Sequence, residues 1–153
     1  MKKIISFAAA AVVTLGAGIG AAQADECAAA QSLVDKAVAH YNAVGKEKSF
    51  ADFMNKDNKD WVDGELYVIV STMDGIFKVH AINPKLIDNP ALPALKDTNG
   101  VMIIQEMIKT GKASPGGGWA KYTWTHPETK KLAAKQTWVK VNDGQLFMVG
   151  CYP

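Results

Sequence analysis

Three short stretches carry side chains able to recognise a small polar molecule. His80 stands in an otherwise apolar run with Ile76, Phe77, Val79 and Ile82. If that run is a strand, period-two alternation groups Ile76, Lys78, His80 and Ile82 on one face. An imidazole placed there can donate a hydrogen bond to a carboxylate, or it can simply bond to the backbone. The second stretch is WAKYTW at residues 119–124. Alternation puts Tyr122 and Trp124 on one face, with Trp119 and Lys121 on the other. An aromatic wall with a hydroxyl and an indole N–H suits a ligand that is part polar and part apolar; a plain aromatic core is the alternative. The third stretch holds Lys135, which shares a face with Thr137 while Gln136 and Trp138 point the other way. An ammonium in a partly dry pocket attracts a carboxylate more strongly than it would in water. Tyr67 opens another strand-like run and is a further pocket candidate. Trp61 and Trp119 are candidates for the rim, with core packing or simple anchoring as the alternatives.

The signatures of catalysis are missing. The sequence contains no GxSxG, HExxH, GxGxxG or P-loop pattern. His40, His80 and His126 lie far apart and show no metal-ligand spacing. Gly116, Gly117 and Gly118 precede no helix, so they do not form a phosphate cradle. These absences favour a binding protein with no cofactor over an enzyme. A small hydrolase or lyase using His80 and a pocketless protein–protein interaction module are the rival readings. Nucleic acid is excluded as a partner: all 17 basic residues are lysine, and the formal charge is only +2.

The elements that would position these side chains follow from periodicity. Residues 27–44 place Ala30, Leu33, Val34, Ala37, Val38, Tyr41 and Val44 at helical spacing, and Gly45 supplies a stop. Residues 49–54 predict a short helix capped by Ser49. Residues 65–72 and 76–82 predict two strands around a turn at 73–75, where Asp74 is assigned to the turn. Residues 83–99 hold three prolines and predict an ordered, irregular loop carrying Lys85, Asp88 and Asn89. A helix is expected over 101–110, stopped by Gly111, and then strands over 119–125, 132–141 and 145–152. The expected architecture is an α+β domain. Its five-stranded antiparallel sheet has the long N-terminal helix on one face and a pocket on the other, roofed by the central loop and helix. At 153 residues with 48% hydrophobic content, the chain can build one real core.

Residues 1–24 have the layout of a secretory signal peptide. Lys2 and Lys3 are followed by an uncharged apolar stretch and an A-x-A site at Ala22–Ala24, which predicts cleavage after Ala24 and a periplasmic domain over 25–153. Removing Lys2 and Lys3 leaves 15 lysines against 15 acids, a formally neutral domain. In an oxidising compartment, Cys27 and Cys151 predict a disulfide joining the two ends; two unpaired thiols are the alternative.

Five motifs in order, YVIVSTMDG at 67–75, VHAINP at 79–84, GGGWAKYTW at 116–124, KQTWV at 135–139 and VGCY at 149–152, resemble the single Cache domain of type 2. The resemblance spans almost the whole chain after the leader. It implies a PAS-like sheet with a long N-terminal helix, and a pocket for small organic acids or amino-acid-like ligands; a short hydroxy- or keto-acid is the leading expectation. It supports His80 and Lys135 at that pocket, where Tyr67, Tyr122 and Trp124 are the further candidates. A membrane receptor, sensor kinase or transporter is then the expected downstream partner, and a homodimer through the N-terminal helix is a further expectation.

Overall fold

The computed structural model describes residues 19–153, with side chains from Cys27 onward. Most of the predicted leader, residues 1–18, lies outside the described residues. Helix α1 runs Ile19–Val44 and begins upstream of the predicted start at Cys27. Its buried positions Cys27, Ala30, Val34, Ala37 and Tyr41 recur every three or four residues, so a single stripe faces the sheet.

Gly45 adopts φ +84° and lets the chain restart at once as α2, Lys46–Met54. The cap assigned to Ser49 is therefore corrected. The helix begins before it, and the buried Ser49 hydroxyl donates back to the Lys46 carbonyl at 3.0 Å.

The sheet contains β3 (Ile69–Thr72), β4 (Phe77–His80), β5 (Gly118–Thr125), β6 (Leu132–Asn142) and β7 (Gln145–Cys151) in the spatial order β4-β3-β7-β6-β5. Every pairing is antiparallel, as the α+β reading requires. The predicted strand over 65–72 is broken. Its first part, β2 (Leu66–Tyr67), turns back at Gly64 to pair with β1 (Val62–Asp63) as a separate ribbon. Every residue of central β7 is buried, because both faces of the sheet are covered.

One core lies between α1 and the sheet and includes Val34, Phe53, Trp61, Val70, Phe147 and Val149. The Cys27–Cys151 disulfide, with a sequence separation of 124, pins α1 to the last residue of β7. Near the C-terminal end of α1, the Tyr41 hydroxyl donates to Asp143 at 2.6 Å and accepts from the Gln145 amide at 3.0 Å. The helix is thus fastened at two points along the central strand.

A second core lies on the opposite face, beneath α3 (Ile103–Ala113), and includes Ile69, Ile104, Met107, Val139, Leu146 and Met148. Gly111 does not stop this helix. It lies where α3 crosses the sheet, and a Cβ there would come within 2.6 Å of Leu146 and 3.3 Å of Val141. Its role is close approach rather than termination. Edge strand β5 is shielded by Asp97, whose carboxylate accepts from the Thr123, Val101 and Asn99 backbone N–H groups at 2.8–2.9 Å.

Candidate ligand-binding site

A cavity of about 320 Å³ opens on the α3 face of the sheet. Its floor is built from cross-strand rows. Ile69 is opposite both Met148 and His80, and Met148 is opposite Val139. The next row sets Ala120 beside Thr137 and Thr137 beside Gly150; the row beyond sets Tyr122 beside Lys135. Of these rows, Ile69 and His80, then Thr137 and Gly150, then Tyr122 and Lys135 line the cavity, while Met148, Val139 and Ala120 belong to the core. Ile103, Ile104 and Met107 of α3 roof the cavity together with the segment after β4, which contributes Leu86, Asn89, Leu92 and Leu95. That segment is ordered by two 3₁₀ turns, Pro84–Leu86 and Leu92–Ala94.

Tyr67, His80, Tyr122, Trp124 and Lys135 all line this one cavity. The face assigned to His80 needs correction. Val70 pairs with Val79 but Ser71 pairs with Phe77, so β4 carries one extra residue, Lys78, at a bulge. The bulge resets the alternation. Phe77 and His80 both turn into the cavity, while Lys78 reaches the Asp88 carboxylate on the loop. Ile82, grouped with His80 by simple alternation, is 53% exposed.

His80 is buried between the rings of Tyr67 and Phe77, with centroids at 5.0 and 5.9 Å. Its Nδ1 accepts the Asn83 backbone N–H at 3.0 Å, which leaves the proton of the neutral ring on Nε2. Burial, helped by the charge of Lys135, lowers its pKa to about 4, so it is a neutral donor near pH 7.

Burial also pushes the Tyr122 phenol well up, opposed by its hydrogen bond with the Thr137 hydroxyl at 2.8 Å. Burial raises Tyr67 too, with the nearby Glu65 adding to the effect. Both tyrosines are neutral hydroxyls. Among the described residues lining the cavity, Lys135 is the one that carries a formal charge. Its stem lies across Gly150, and its ammonium sits 4.6 Å from the Tyr152 ring centroid.

The rim assignments of Trp61 and Trp119 are corrected. Trp61 is buried on the α1 side, packed on Phe53 and His40 with both centroid distances 4.8 Å. Trp119 points to the same side and stacks edge-on against Trp138 at 5.0 Å, as its odd position on β5 dictates. Asp74 stays in the exposed β3–β4 turn, its carboxyl held below the usual range by the Thr72 hydroxyl. Of the three loop candidates, Asn89 lines the cavity, while Lys85 and Asp88 do not.

Residues missed from the sequence fall into two groups. The aliphatic roof looks like ordinary core, so nothing in its composition marks it. Gly150 and Thr137 were visible within the VGCY and KQTWV motifs, but their use depends on Lys135 lying over them. Among the described residues no cluster of three or more His, Cys, Asp or Glu is arranged to hold a metal ion.

A long helix on one face of a five-stranded antiparallel sheet, with a part-polar cavity on the other, defines a PAS-like domain of the Cache kind. The profile of the family described as Single Cache domain 2 matches residues 28–151, and the chain belongs to that family. Three solved structures share the fold. A methyl-accepting chemotaxis protein from Vibrio parahaemolyticus aligns at 19% identity over 84% of this chain and 89% of its own, with TM-score 0.68. A Cache chemosensory domain described for carboxylic acid recognition aligns at 17% identity, covering 88% and 98%, with TM-score 0.65. A periplasmic sensor domain of a chemotaxis protein aligns at 23% identity, covering 90% and 99%, with TM-score 0.63. No curated protein sequence matches the chain. Among the described residues no helix is long and apolar enough to cross a membrane.

Proposed function

We propose that this protein captures a small organic acid in the cavity beneath α3, as a periplasmic binding protein released by cleavage after Ala24, and leaves the acid chemically unchanged. The occupied state would be read by a membrane receptor, a sensor kinase or a transporter. One observation carries the reading: the Lys135 ammonium and three neutral polar side chains, His80, Tyr122 and Tyr67, line one cavity whose wall is otherwise mostly apolar and carries no other formal charge. That is the donor set an isolated carboxylate needs, with one charge to balance its own and neutral hydrogen bonds to fix its orientation. The structural neighbour described for carboxylic acid recognition supports the ligand class, and the neighbour described as periplasmic supports the location. The Cys27–Cys151 disulfide supports an oxidising compartment.

Isothermal titration against a panel of organic acids tests the proposal. Lys135→Met removes a charged hydrogen bond of about 1.5–3 kcal/mol, so Kd should rise roughly ten- to hundredfold. If no acid binds the intact protein, or if this variant keeps its affinity within about twofold, the cavity is not an acid site.

A further inference from the structure

We propose that this site selects a monocarboxylate with an aliphatic tail, in preference to dicarboxylates and to the shortest acids; this rests on the acid-binding reading above. The basis is the one-sidedness of the cavity. Its polar end is the Tyr122–Lys135 row. From there the lining runs through Thr137 and Gly150 to Ile69 and Phe77, with the neutral His80 beside Ile69, under the side chains of Ile103, Ile104 and Met107. A carboxylate held at Lys135 therefore directs the rest of its molecule along a path of hydrocarbon. Asn83 and Asn89 are the polar side chains on the loop wall, and neither carries charge.

Among the described residues lining this cavity and its neighbour, Lys135 is the one lysine, so a second carboxylate finds no cation of its own in either direction. Inward it would meet the aliphatic roof. Outward, a neighbouring cavity of about 340 Å³ shares Tyr67, Trp124 and Lys135 with the first, and its remaining wall includes Glu65 and Glu128. Oε1 of Glu65 is buried there with no partner at hydrogen-bond distance, the His126 ring nitrogen lying 3.8 Å away. A second anion on that side would be repelled. His80 cannot act as the second cation near pH 7, because its burial keeps the ring neutral.

The size of the cavity adds a length preference. Acetate would leave most of a 320 Å³ space unfilled, whereas each methylene added along the hydrocarbon path is removed from water. Affinity should then rise about fourfold per methylene until the tail meets α3.

The test is calorimetric titration of the intact protein near pH 7 with acetate, butanoate, hexanoate and adipate. Hexanoate should bind far more tightly than acetate, with butanoate between them. Adipate, with the same number of carbons as hexanoate, should bind more than about a hundredfold more weakly than hexanoate, because its second charge has no partner. Acetate binding as tightly as hexanoate, or adipate within tenfold of hexanoate, would overturn the selectivity and leave the acid-binding function standing. Absence of binding by every acid, mono- or dibasic, would overturn both.

Discussion

Gly150 offers a way to move the proposed anion-binding lysine without touching it. It is buried on β7, its backbone is not in the left-handed region, and an added Cβ would lie 2.7 Å from Lys135 Cε, 3.2 Å from the Thr137 hydroxyl and 3.5 Å from the Lys135 ammonium. The close neighbour is the far end of a flexible side chain, so in Gly150→Ala the lysine yields and the strand does not. Shifting the stem off its preferred rotamer costs about 0.5–1.5 kcal/mol. Replacing glycine by alanine inside a strand returns about 0.5–1 kcal/mol. Stability should therefore change little, by a few degrees at most in melting temperature. Affinity should change much more, because a displaced ammonium loses a charged hydrogen bond of about 1.5–3 kcal/mol, equivalent to a roughly ten- to hundredfold weaker Kd. The assay pairs titration calorimetry, using the tightest acid of the panel, with thermal melting. Gly116→Ala is the control, since a Cβ there meets nothing within 4 Å. An unchanged Kd in a normally folded Gly150→Ala protein would refute the idea that the lysine, lying over this glycine, holds the ligand.

Two further outcomes follow from the same geometry. Replacing both cysteines by serine opens a cross-link with a sequence separation of 124; chain entropy assigns it about 5 kcal/mol, so melting should fall by roughly 15–20 °C, and a shift of only a few degrees would show that the tie contributes little. His80, with its pKa lowered to about 4, binds a proton more weakly folded than unfolded. Its contribution is therefore complete above the unfolded value near 6.5 and is lost as the pH falls towards 4, a change on the order of 3 kcal/mol. Denaturant titrations of wild type and His80→Gln between pH 7 and pH 4 should show this loss in the wild type only, and parallel curves would contradict it.

Much of this molecule can be read along the chain, because local rules decide it. Helical spacing marks the buried stripe of α1, and alternation marks the long hairpin of β5 and β6. That alternation puts Tyr122 with Trp124 and Lys135 with Thr137; the register of the hairpin, Tyr122 opposite Lys135, then brings both pairs to one face. The even count of two cysteines anticipates a bond that needs only the segments around Cys27 and Cys151 to meet. Short elements are less legible. The single extra residue at Lys78 inverts the alternation on β4, and no residue type announces a bulge there. Trp61 and Trp119 have the composition of a binding wall, yet they fill the other core.

Tertiary structure decided what the cavity is made of. Ile103, Ile104 and Met107 become a roof only because Gly111 lets α3 settle onto Leu146 and Val141, a contact between segments far apart in sequence. Lys135 reaches its place only because Gly150 clears space on a neighbouring strand. Local periodicity specifies which way a side chain points, whereas the empty volume between layers depends on how closely distant backbones can approach. A single sequence does not state that distance.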